Sequence, residues 1–147
     1  MQGIPNIVFI LIFVYFVFFR KKEDSNDLSD NNAVDLKDHY EKNDEVKKLQ
    51  SAGLTRSYSY QTYINMCDKL QSWMTGAGTS NEEEIVKIMK MVKNDLDFLI
   101  LYDTFGIREG SMWSSGDLKE WLRDDLSEYW ITNINNNYKS KGMLKRI

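Results

Sequence analysis

Cysteine and histidine are almost missing from this chain of 147 residues, which holds one of each, Cys67 and His39. A lone cysteine excludes a disulfide framework or a Cys-rich zinc site within one chain. A lone histidine excludes His-paired metal sites and leaves a Ser-His-Asp triad with only His39 to use. That residue lies in the most polar stretch, where a solvated side chain is expected. Basic charge is scarce as well. Three of the 19 Lys and Arg residues (Arg20, Lys21, Lys22) precede every acid, leaving 16 against 22 Asp and Glu, a formal −6 beyond Lys22. Such a balance argues against a nucleic-acid module, which needs a basic face to neutralise phosphates. A phosphate-binding loop is missing too, since Gly76-Ala77-Gly78-Thr79 lacks the P-loop lysine and follows a helical pattern, not a strand. The acids Asp124, Asp125 and Glu128 are explained as helix-cap charges without invoking an acid/base pair. No catalytic constellation emerges, and the expectation is a protein that is not an enzyme.

What is present begins with an uncharged apolar run over residues 4–19, followed at once by Arg20, Lys21 and Lys22. Backbone groups in hydrocarbon must be satisfied internally, so a single spanning segment has to be helical. At 1.5 Å per residue the run covers roughly 24 Å, short of a core of ~30 Å, and the flanking bases can snorkel to close the gap. A cleaved signal peptide fits less well: no basic n-region precedes the run, and no small-x-small cleavage site follows it. Residues 1–22 are therefore read as a transmembrane anchor with a basic flank. The positive-inside rule puts the N-terminus outside and the C-terminal bulk on the cytoplasmic side. Small residues spaced for tight helix pairing are absent from the run, so it offers no support for a homodimer.

Residues 23–53 read as a flexible polar tether. Between 23 and 50, nine acids face four lysines, with scattered Val34, Leu36, Val46 and Leu49. So little apolar area should not offset the entropy of ordering the chain. A short helix over 34–50, docked weakly through those four residues, is the alternative.

Residues 54–147 carry the helical period. Tyr60, Tyr63, Ile64, Cys67, Leu70 and Met74 form the stripe of a first helix, with Cys67 as an inert buried residue. Gly76 and Gly78 stop it, and Thr79 with Glu82 matches a capping box that opens a second helix burying Ile85, Ile88, Met89 and Val92. Asn94 or Asp95 caps a third helix, with Phe98, Leu99, Tyr102 and Phe105 on one face and Gly106 at its end. An irregular loop over 107–116, holding Trp113, precedes a second capping box at Asp117 and Glu120. That box opens a fourth helix, with Leu118, Trp121, Leu122 and Leu126 inward. Ser127 caps a fifth, with Trp130, Ile134 and Tyr138 inward and Gly142 as its stop. No alternating strand pattern occurs, so the fold class is all-α, a five-helix bundle.

The order of these signals carries a resemblance. Met74-Thr75-Gly76-Ala77-Gly78-Thr79, followed by an acidic helix start, resembles the signature loop of an annexin repeat. Residues 117–127, from Asp117 to Ser127, are similar to the segment that joins an annexin repeat's fourth and fifth helices. Phe105-Gly106-Ile107-Arg108 and the later Lys141-Gly142 resemble the stand-alone annexin-like domains encoded by some bacteriophages and large DNA viruses. The likeness covers about residues 57–138. It implies a five-helix repeat and a calcium ion, held by carbonyls of Met74, Gly76 and Gly78 and the carboxylate of Asp125. Water or lipid phosphate would complete the shell, as a cation wanting six to eight oxygens requires. This chain departs from the family in its longer 107–116 loop, in having an aspartate rather than a glutamate, and in having one repeat only. Without the ion, Gly76 and Gly78 make a plain helix-helix turn and Asp125 is a solvated charge.

These readings converge on a single-pass, membrane-anchored scaffold. It would be a minor membrane-associated virion component, or part of another membrane assembly, docking a protein partner through its helical domain. Its partners would be the lipid bilayer and other proteins of the assembly, not nucleic acid. A calcium-dependent phospholipid-binding module and an accessory subunit of a membrane complex are the alternatives.

Overall fold

The computed structural model describes residues 29–74, 81–109 and 115–147. The apolar run, Arg20, Lys21, Lys22, Gly76, Gly78, Thr79 and Trp113 lie outside the described residues. Among the described residues, seven helices run in chain order: α1 (Ser29–Lys42), α2 (Asp44–Ser51), α3 (Tyr60–Met74), α4 (Glu82–Met91), α5 (Asp95–Phe105), α6 (Leu118–Asp125) and α7 (Glu128–Ser140). Between α5 and α6, two-residue strands β1 (Arg108–Glu109) and β2 (Ser115–Gly116) pair antiparallel, Arg108 opposite Gly116. The all-α class holds, and the stretch expected to be wholly irregular carries this short ladder.

The tether is the main correction. Residues expected to be flexible form α1 and α2, and both enter the core. Asn43 starts α2 by accepting the Glu45 and Val46 amides at 2.9 and 3.2 Å, satisfying two of the donors that a helix start leaves without partners. Tyr40 and Val46 are each 1% exposed. The Tyr40 hydroxyl donates to the Ile100 carbonyl at 3.0 Å and its ring stacks on Tyr60, centroids 5.7 Å apart. Average composition hid this, because one buried aromatic with a satisfied hydroxyl contributes more than several half-buried aliphatics. Val34, counted among the docking residues, is 57% exposed.

The boundary set at residue 53 is likewise a helix end inside the folded unit. Gly53, at φ 87°, donates to the Gln50 carbonyl at 2.9 Å, and Leu54 donates to Leu49 at 3.1 Å. Gly142, at φ 72°, closes α7 in the same way, with its amide on Lys139 and that of Met143 on Tyr138. Both are Schellman ends, whose left-handed residue is cheapest as glycine.

The helices expected beyond residue 54 stand where the periodicity put them. α3 and α5 form the central pair, α1 lies across α3, α2 on α5, and α4 packs on α7. Asn94 caps α5 by accepting the Asp97 amide at 2.9 Å. The box at Asp117 and Glu120 is complete. Of the earlier box, Thr79 lies outside the described residues; Asn81 takes the N-cap position of α4 and makes no side-chain cap bond, and Glu82 is the first helical residue. Ser127 sits at the N-cap of α7 without a side-chain cap bond either. No helix among the described residues is long and apolar enough to cross a membrane.

Candidate functional site

The four residues nominated for calcium divide between described and undescribed chain. Met74 is the final residue of α3 and is buried, Asp125 is the final residue of α6, and Gly76 and Gly78 lie outside the described residues. Asp125 comes to lie near Glu82, the first residue of α4. Burial, then the charges of Asp124 and Glu82, push the Asp125 carboxyl above its ordinary value. Its Oδ2 is enclosed and has no hydrogen-bond partner. A carboxylate oxygen in that condition suits a cation chemically, since desolvating a charge without a partner is costly. Among the described residues, however, no group of three or more His, Cys, Asp or Glu side chains is placed to hold a metal ion.

Glu82 has a role that sequence reasoning missed. It reaches across to α7. Its Oε2 accepts from the Trp130 indole at 3.1 Å and its Oε1 from the Ser127 amide at 3.4 Å. The Trp130 indole therefore has an acidic partner, which explains why that ring is half-buried rather than fully inward. No periodicity signal could have found this contact, because it joins residues 48 positions apart.

Asp97 was missed as well. Its side chain is 0% exposed and accepts from three donors: the Ser57 amide at 2.8 Å, the Tyr63 hydroxyl at 2.6 Å and the Lys93 amide at 3.1 Å. Burial, then the bond to Asp97, raises the Tyr63 hydroxyl far above the ordinary phenol. This buried carboxylate ties the approach to α3 onto α5, and its three protein donors mark it as architectural.

His39 is exposed, edge-on to Tyr40. Cys67 is 0% exposed, and burial pushes its thiol up to about 12, so at neutral pH it is an unreactive core residue. The groove between α1, α3, α5 and β1 is lined by Asp35, Leu36, Ile64, Asp68, Thr104 and Arg108. The Arg108 guanidinium is engaged by Asp68 at 3.1 Å and the Phe105 carbonyl at 3.0 Å. With that cation already paired, the groove lacks the free charge an anionic ligand would need.

No protein-family model, curated protein or solved structure matches the chain.

Proposed function

We propose that this protein is a non-enzymatic, single-pass membrane-anchored scaffold whose helical domain is held against the bilayer and docks a protein partner. One observation carries the reading. Because α1 and α2 belong to the folded unit, only residues 23–28 separate the basic flank of the apolar run from the first described helix. Six residues span at most ~3.3–3.6 Å each, so the domain stays within about 20 Å of the membrane instead of searching tens of ångströms. A short link suits a fixed structural component better than a roaming tether. The resemblance to stand-alone viral annexin-like domains favours a minor membrane-associated virion protein as its setting.

The test is extraction of the full chain from membranes at alkaline pH in high salt, conditions that strip peripheral proteins. Retention is expected, with release once residues 1–22 are deleted. A deletion variant that still resists extraction would sink the anchor.

Calcium-dependent phospholipid contact is the second reading, favoured by the partnerless Asp125 oxygen beside Glu82. An amide NMR titration with Ca²⁺, with Mg²⁺ as control, tests it. Saturable shifts confined to Met74 and the residues around Asp125 support an ion site. A folded spectrum indifferent to Ca²⁺ leaves the scaffold reading alone.

A further inference from the structure

The fold gathers a cationic face around one exposed leucine. Beyond the turn that closes α7, residues 143–147 run back past the start of α5. Met143 and Ile147 are 3% and 8% exposed, whereas Leu144 between them is 86% exposed. Leu144 is held in place by its backbone. The Asp95 carboxylate accepts its amide at 2.9 and 3.0 Å and that of Lys145 at 2.8 Å, and Asn135 accepts the Ile147 amide at 3.0 Å. A single exposed leucine is ordinary by itself. Its surroundings are not.

Lys90 lies in the last turn of α4 and Lys93 in the connection that follows it, Lys119 and Arg123 stand one turn apart on α6, and Lys141 and Lys145 flank Leu144 in sequence. Burial, then Arg123 and Lys145, press the Lys119 ammonium below its usual value; burial does the same to Lys141, where Asp97 opposes it and Lys93 and Lys90 add to it. Lys145 reaches Glu45 at 2.7 Å. Among the described residues, the other five make no ion pair with a carboxylate. Lys141 donates to the Lys90 and Val92 carbonyls, which cancels no charge, and Lys93 and Lys119 lie over the Tyr58 and Phe98 rings. Asp95 is turned onto the amides above and Asp117 onto Tyr102 and its own helix start, while Asp124 beside Arg123 is exposed.

We propose that this face, Leu144 amid Lys90, Lys93, Lys119, Arg123 and Lys141, seats on the anionic headgroups of a bilayer without calcium, with Leu144 entering the interface. Spread cations around one apolar side chain meet the demands of an anionic lipid surface, whereas an acidic peptide would need a groove. The one groove described above lies elsewhere and has Asp35 and Asp68 on its wall. Beyond Lys22 the chain is net acidic, so presenting this face turns the remaining negative charge away from the membrane. The proposal rests on the anchor reading for the nearness of a bilayer.

The test uses the full chain carrying Ser140→Cys, labelled with an environment-sensitive fluorophore while buried Cys67 stays unmodified. It is reconstituted with chelator into vesicles of phosphatidylcholine alone, or of phosphatidylcholine with phosphatidylserine, and quenched by spin-labelled lipid. The expected result is about threefold more quenching with phosphatidylserine, abolished in ~1 M salt, where the Debye length is about 3 Å. The variant Lys90→Glu/Lys93→Glu/Arg123→Glu, its thermal melt unchanged, should lose the effect, and Leu144→Ser should weaken it. Equal quenching in the two vesicles, quenching that needs Ca²⁺, or a charge-reversed variant that behaves like the parent would overturn the proposal. Flotation separates the two readings. A failed face leaves the chain floating with phosphatidylcholine vesicles in high salt, whereas a failed anchor leaves it behind.

Discussion

Two aspartates show how burial alone does not set the role of a charge. Asp97 is fully buried and fully satisfied; Asp125 is half-buried and has an oxygen with no partner. Asp97→Asn presents an amide nitrogen to one of three donors that need an acceptor, and should cost about 2–4 kcal/mol in urea unfolding. A loss below about 1 kcal/mol would mean that water serves those donors. Asp125 has the opposite sign. A carboxyl raised on folding costs stability when ionised, and that cost is relieved as pH falls through its raised value. Asp125→Asn should therefore leave the melting temperature at neutral pH unchanged or higher, and should flatten the pH dependence above the ordinary carboxylate range. A large fall in melting temperature would show a structural bond to Asp125 that the geometry lacks. Asp117 carries the reverse dependence. Partial burial opposes its charge, but bonds from the Tyr102 hydroxyl and the Glu120 and Lys119 amides outweigh it and hold the carboxyl below its ordinary value. Its contribution is present at neutral pH and is lost as pH falls through that lowered value.

At the scale of elements, helix ends separate what was legible from what was not. The Asp117 box, the Asn94 cap and the Gly106 and Gly142 stops are local, each decided within five residues, and each is found as read. The Thr79 box had equally good letters, but Thr79 lies outside the described residues; α4 starts at Glu82, whose carboxylate accepts from Trp130 and Ser127. Those tertiary bonds give Glu82 a role that its local sequence does not announce. α1 and α2 make the same point. Their sequence is polar enough to read as a linker, and their stability comes from packing on α3 and α5. Tyr40→Ala should destabilise the whole protein by about 3–5 kcal/mol, and Tyr40→Phe by about 1 kcal/mol through loss of the bond to Ile100. Chemical denaturation of both variants checks this, and a silent Tyr40→Ala would restore the tether. Gly142→Ala meets no atom within 4 Å, so its expected loss of about 1 kcal/mol reflects the positive φ alone.

For the whole molecule, the docking of α1 and α2 makes the described residues one cooperative unit around one core. Thermal unfolding followed by far-UV circular dichroism and by the fluorescence of Trp73, Trp121 and Trp130 should give coincident transitions. An early loss of helical signal with the tryptophans still packed would show that α1 and α2 melt alone. The charge distribution is also a whole-molecule property. Residues 139–147 hold Lys139, Lys141, Lys145 and Arg146 and no acid, yet their significance emerges only when α4 and α6 bring further cations beside them.

The linear chain determined by itself the all-α class, five of the helices and most of their buried faces, because 3.6-residue periodicity and capping are local physics. It also determined the acidic balance and the apolar run beside three bases, since those are matters of composition. Only the tertiary structure decided that the polar stretch before residue 54 is part of the fold, that Asp97 is an internal hub, and that Glu82 serves α7. Only it, too, brought Lys119 and Arg123 of α6 near Lys145, and Lys90 of α4 near Lys141. Each of those outcomes joins residues far apart in sequence, and the free energy of such contacts belongs to the pair, not to either residue's neighbours.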